Sequence, residues 1–316
     1  MKTNFRRARE LAEKCQKLGD NSRLVQTILE RLPTEDQMNV PPKASTPADE
    51  ALQAGEAAFS SGDFKRALAE YEKAEKLDPK LYEAPLFAGD VHFKLNDIEK
   101  AGAAYSRAIT IDPNRDTAYR FWGNALLQSG KMEESKQKLI EAIICEPYSR
   151  APWQYLSNWA ERNKAQLGHP RVDVPTSSVQ RKDDKNINIT AMLSDKKDGT
   201  EAWTMYSLVK AAWMGETFEK EFPKEKEYRH SLREESEALK AAIESLQVKL
   251  KEGGLKESAL DVSIANLLKL HRAGLIEPFI LLAKPDEGIA HDYTEYRKNN
   301  RDKLRRYLAE FVIASK

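Results

Sequence analysis

From Ala48 to Ser149, small, apolar and polar positions follow a pattern that repeats at an offset of 34 residues. Gly55, Gly89 and Gly123 share one column, Ala74, Ala108 and Ala142 another, and Pro79, Pro113 and Pro147 a third. Each unit predicts a helix, a tight turn, a second helix and a proline stop. The turns fall at Gly62-Asp63, Asn96-Asp97 and Gly130-Lys131, where Gly or Asn tolerates the positive φ that ends a helix. Asp78-Pro79, Asp112-Pro113 and Glu146-Pro147 end the second helices, because proline restricts the preceding residue and donates no amide. Gly55, Ala67 and Ala74, recurring as Gly89, Ala101 and Ala108, allow close helix approach, with Phe64, Tyr71 and Leu77 expected to fill the gaps. A period of this length marks paired-helix repeats, which build extended binding surfaces rather than catalytic pockets.

Outside the repeats the pattern changes. Residues 1–40 predict a helical hairpin: Leu11, Cys15 and Leu18 lie on one face, and Leu24, Val25, Ile28 and Leu32 on the other, with Gly19-Asp20 turning between them. Pro41, Pro42 and Pro47 mark residues 41–47 as a stiff polar linker. In residues 169–198, Val172-Asp173-Val174 and Ile187-Asn188-Ile189 alternate apolar with polar, compatible with a small hairpin or with an irregular connection. Residues 199–316 predict helices without the 34-residue period. The first, over 200–221, is apolar on most sides through Trp203, Tyr206, Leu208, Val209, Trp213, Met214 and Phe218. A second carries Tyr228, Leu232, Leu239, Ala242, Leu246 and Leu250 and stops at Gly253-Gly254. A third covers 256–273, a short apolar piece runs from Phe279 to Leu282, and a last helix runs from Asp292, its expected N-cap, to Ala314.

On these columns, residues 48–149 resemble three tandem tetratricopeptide repeats, and Trp153, Leu156, Ser157 and Ala160 resemble the start of a fourth. Ser135 and Leu139 depart from the pattern in the third repeat but keep its size classes. The resemblance implies an all-α protein: a right-handed solenoid of helix pairs over 48–168, with a C-terminal helical module at 199–316. The fourth first-helix, bearing Glu161, Arg162 and Lys164, is then expected to be the polar cap of the solenoid. In such arrays the first helices line a concave groove. By register these are Leu52, Gln53, Glu56 and Phe59, then Leu86, Phe87, Asp90 and Phe93, then Arg120, Phe121, Asn124 and Leu127, and finally Gln154, Tyr155 and Asn158. Phe87, Phe121 and Tyr155 form one aromatic column, and the amides of Asn124 and Asn158 are suited to gripping a peptide backbone. The alternative is that the C-terminal helices or the 170–198 arm fold back over this ladder. A clamp for the C-terminal carboxylate of chaperone tails would occupy Leu52, Glu56, Phe87, Thr117 and Phe121; none of these is suited to it, and Glu56 repels a carboxylate.

Charge narrows the classes further. The chain has 51 basic and 50 acidic residues, so nothing in its balance draws it to nucleic acid or an anionic membrane. No stretch approaches 18 consecutive apolar residues, and no apolar run follows Arg6, Arg7 and Arg9, so neither a membrane span nor a secretory leader is expected. Cys15 and Cys145 form no metal or redox spacing; Cys145 shares a column with Leu77 and Ile111 and reads as a packed thiol in a reducing, cytoplasmic setting.

Candidate chemistry is sparse. Glu227-x-x-His230 has the spacing of a di-iron ligand pair on a helix, but no second copy accompanies it, which favours a solvated face. Arg297, Arg301 and Arg305 form a basic stripe on the last helix, read either as a phosphate-binding face or as a solvated face answering Glu234, Glu235 and Glu237. No nucleophile motif or phosphate loop is present, so no catalytic, metal or cofactor residue is assigned. The sequence therefore reads as a non-catalytic scaffold or adaptor that binds a protein or peptide partner through its groove. An enzyme site in residues 199–316, or nucleic-acid binding through the last helix, are the competing readings.

Overall fold

A computed structural model describes residues 2–17, 25, 29, 32, 45–175, 179–181, 187–189 and 197–314. Helix α1 spans Lys2–Lys17. Leu11 and Cys15 are exposed on it while Ala12 is buried, so the expected apolar face is not the packed one. Arg9 donates to the carbonyls of Leu29 (3.0 Å) and Leu32 (2.7 Å). Of the expected second helix, Val25 and Leu29 are helical; Leu24 and Ile28, like Leu18 of the first helix and the turn at Gly19-Asp20, lie outside the described residues.

The repeats follow as three helix pairs: α2 (Pro47–Ser60) with α3 (Phe64–Leu77), α4 (Glu83–Lys94) with α5 (Ile98–Ile111), and α6 (Asp116–Gln128) with α7 (Met132–Cys145). Thr46 opens α2 with a capping box closed by Asp49, and Asp63 and Asp97 cap α3 and α5 by accepting from the amides of Arg66 and Lys100. The turn residues Gly62, Asn96 and Gly130 all have positive φ. Within each pair one bulky residue seats on the glycine column. A Cβ at Gly55 would run into the ring of Tyr71, one at Gly89 into Tyr105, and one at Gly123 would lie 2.7 Å from a Leu139 methyl. Ser135 keeps the third pair close by donating to the Gly123 carbonyl at 2.7 Å. Leu77 does not fill a gap; it is 49% exposed.

Helix α8 (Arg150–Asn163) repeats the first-helix pattern, but the array does not end in solvent there. Glu161, Arg162 and Lys164 are exposed as expected of a cap, yet Leu156 and Trp159 belong to a core that continues into the C-terminal helices. That core joins Leu139, Ile143 and Ile144 of α7 to Leu239, Leu267, Phe279, Leu304 and Tyr307. Strand β1 (Gln166–Leu167) follows α8 and pairs antiparallel with β4 (Ile313–Ala314), tying the chain's last described residues to the array's end. A hairpin does form in the arm, between β2 (Val179–Arg181) and β3 (Ile187–Ile189). Its first strand is not 172–174: Val172 is buried in the core, and the Asp173 amide donates to Ser263 Oγ.

The C-terminal module begins with α9 (Trp203–Ala212), which passes through a π turn at Trp213–Thr217 into α10 (Phe218–Glu221). Trp203, Tyr206 and Trp213 are buried, whereas Met205 and Leu208 are exposed, so this helix has an outer face. Helices α11 (Leu232–Lys251), α12 (Val262–Ala273), α13 (Ile276–Ala283) and α14 (Glu287–Tyr307) complete it. Tyr228 precedes α11 rather than lying in it. The last helix starts five residues before Asp292, capped by Asp286. Asp292 instead accepts the Leu232 amide at the start of α11 and pairs with Arg229.

Candidate partner groove

Small residues hold the helix pairs close, and this sets one turn of each first helix side by side on one face of the array. Two adjoining depressions result. One of about 180 Å³ is lined by Glu56, Phe59, Ser60, Tyr71, Phe87 and Asp90. The other, of about 210 Å³, is lined by Phe59, Asp90, Phe93, Lys94, Tyr105, Phe121, Asn124 and Tyr155. Phe59 and Asp90 belong to both, so they stand where the two meet. Among the described residues, none beyond Tyr155 lines either depression, so the described C-terminal helices do not fill these two.

The structure thus brings together eight of the residues expected from register: Glu56, Phe59, Phe87, Asp90, Phe93, Phe121, Asn124 and Tyr155. Others sit elsewhere. Leu86 is 2% exposed and packs in the core with Tyr82, Ala101 and Tyr105, because its position on α4 points at α5 and α6. Leu52 is half-buried against Ala51 and Ala74, and Asn158 is exposed outside both depressions. Arg120 pairs with Asp116 and lies 5.3 Å above the Tyr155 ring and 5.5 Å above that of Phe121. The guanidinium therefore braces the aromatic column from one end.

Register alone did not reveal the second-helix contribution to the floor. Tyr71 reads as a packing residue and Tyr105 carries no sequence signal of its own, yet each lines a depression. The Tyr105 hydroxyl donates to Asp90 Oδ1 at 2.6 Å. Burial pushes the Asp90 carboxyl up to about 6, against the opposing effects of the Tyr105 hydrogen bond and Lys94. The signal in the sequence was an acidic residue in a column otherwise facing rings, but its partner lies on the neighbouring helix.

The two other chemical candidates resolve differently. Glu227 and His230 lie outside helices, and Glu227 is exposed. His230 is instead clamped, Nδ1 to Asp286 (2.6 Å) and Nε2 to Glu235 (2.8 Å). Behind it, buried Lys210 pairs with Glu234 and Glu235, and Tyr206 and Tyr228 donate to the same carboxylates. Burial opposes the imidazolium, but the two carboxylates raise the His230 pKa above its usual value. Among the described residues no three His, Cys, Asp or Glu side chains are grouped to hold a metal ion.

The basic stripe does not answer Glu234, Glu235 and Glu237; it is held on α7. Arg297 donates to the carbonyl of Cys145 (2.6 Å), Tyr293 to that of Ile144 (2.7 Å), and Arg301 and Arg305 both bond to Glu141 (2.8 and 2.6 Å). These groups satisfy the orphan carbonyls and negative end of α7, which Pro147 leaves open. Cys145 is buried beneath them, its thiol pushed up to about 11 by burial. Among the described residues, no helix is long and apolar enough to cross a membrane.

Residues 52–116 match the tetratricopeptide repeat family model. With the helix pairs and glycine–aromatic seats described above, residues 52–116 are tetratricopeptide repeats, set in an all-α solenoid that carries a C-terminal helical module. Among solved structures it is similar to the first repeat domain of Spaghetti (RPAP3) bound to an HSP90 peptide: 22% identity over 37% of this chain and 94% of that one, TM-score 0.35. It is also similar to the Sgt2 repeat domain from Aspergillus fumigatus (20% identity, 39% of this chain, 85% of that one, TM-score 0.35). A third is MamA from Desulfovibrio magneticus RS-1 (19% identity, 51% and 85%, TM-score 0.33). No curated protein matches the chain.

Proposed function

We propose that the protein is a non-catalytic interaction module, a scaffold or adaptor, that grips an extended segment or amphipathic helix of a protein partner in the concave groove of its array. The observation that carries this reading is the aromatic floor shared by the two adjoining depressions, with Phe59, Phe87, Phe93, Phe121 and Tyr155 all only half-buried. Half-buried rings in one concavity are what an incoming apolar side chain needs, each such burial being worth roughly 1.5–3 kcal/mol before ordering costs. The groove takes no carboxylate-tail clamp, because Leu52, Glu56, Phe87, Thr117 and Phe121 supply no cation at the clamp positions.

The test is selection from a random peptide library by the full chain and by a Phe87→Ala/Phe121→Ala variant whose helicity and melting are checked first. The wild type enriches peptides and the folded variant does not. Equal enrichment by both removes the groove as the binding site.

A further inference from the structure

Resting on that groove reading, the charge pattern on the floor specifies the partner's chemistry. One column of the first helices reads Glu56, Asp90, Asn124, Asn158, two carboxylates followed by two amides. A carboxylate only accepts hydrogen bonds, whereas an amide both donates and accepts. One end of the groove is therefore built for a donor or a cation, and the other for peptide backbone.

Asp90 is the focus of the acidic end. It stands where the two depressions meet, and the cation whose charge acts on it is Lys94, one turn along its own helix. Around it stand Glu56 from α2, Tyr71 from α3, Tyr105 from α5, Asn124 from α6 and Lys94 on its own helix. The Tyr105 hydroxyl occupies Oδ1 alone. A partly desolvated carboxylate held in place by one neutral hydrogen bond gains most from an incoming cation. The rings of Phe59, Phe87 and Phe93 flank that spot, so they suit the alkyl stem of a long basic side chain and its cation–π contact.

We propose that the groove takes an extended peptide segment in which a lysine or arginine is flanked by apolar side chains, its cation set on Asp90 and Glu56 and its apolar groups on Phe59, Phe87 and Phe121. Acidic segments are turned away at the same place by like charge.

The library selection resolves this, with Asp90→Asn and Glu56→Gln variants of the full chain added. Asparagine keeps an oxygen for the Tyr105 hydroxyl, so Asp90→Asn retains the fold. Wild type enriches Lys or Arg at one position between apolar ones. Asp90→Asn keeps the apolar positions and loses the basic preference. For a selected lysine peptide against its norleucine analogue, wild type shows at least about a tenfold difference by fluorescence polarisation that shrinks in Asp90→Asn. Binding of the lysine peptide also strengthens from about pH 5 to about pH 7.5 as Asp90 ionises, and this dependence is lost in Asp90→Asn. Selection of acidic or uncharged segments that still require Phe87 and Phe121 overturns the specificity while leaving the groove standing. Selection indifferent to those two rings, or no selection at all, overturns both.

Discussion

At the scale of single residues, His230 shows how burial and partners set a charge. Both ring nitrogens face carboxylates, Asp286 and Glu235, so the protonated ring can donate twice and the charged form is favoured. Its pKa is raised in the fold, so its contribution to stability is complete below the usual value of 6.5 and is lost as the pH climbs through the raised value. The thermal midpoint should therefore fall as the pH climbs above the usual 6.5 in the wild type, and His230→Gln should flatten that slope. An unchanged slope in the variant would assign the pH dependence to another group. The sequence showed His230 only as part of an irrelevant spacing with Glu227, because its true partners come from positions 235 and 286. Asp90 was legible as a groove residue, since register along a helix follows directly from sequence. Its bond to Tyr105 was not, since that depends on how α4 and α5 pack.

At the scale of elements, the repeats were the readable part. Proline stops, turn residues with positive φ and Asp caps all act locally, so α2 to α7 follow from sequence with little ambiguity. The glycine–aromatic seats are the element-scale joint. Gly89→Val places branched carbons where the Tyr105 ring lies, and it should cost about 1–3 kcal/mol by overpacking. It should also loosen the ring that holds Asp90. A chemical-denaturation midpoint matching wild type would show that α4 and α5 have room to separate. Elements without such local signals were misplaced. The start of α14 moved because Asp286 caps it while Asp292 turns to cap α11. The arm's first strand moved because burial of Val172 against α12 removes 172–174 from pairing.

At the scale of the whole molecule, the third repeat, α8 and the C-terminal helices share one core, while smaller clusters join the first repeat to the second and the second to the third. The C-terminal module sits against α7, where Arg297, Arg301 and Tyr293 reach the end of that helix. Among the described residues, the C-terminal helices do not line the two depressions. Glu141 takes both Arg301 and Arg305 and should couple the two parts. A double-mutant cycle of Glu141→Ala with Arg301→Ala should give a coupling of about 0.5–1 kcal/mol, and the Glu141 variant should release the C-terminal helices to protease earlier than wild type. Strictly additive losses would mean that the apolar core alone holds the module. By itself the sequence determined what depends on neighbours a few residues apart: the 34-residue period, the helix pairs, their turns and caps, and which positions of the first helices share a groove column. Tertiary structure alone decided what depends on partners brought in from other elements of the fold. It turned the basic stripe into a latch on α7, set His230 between two carboxylates, and extended the solenoid's end into a common core, because packing and charge pairing follow proximity in space, which local pattern does not encode.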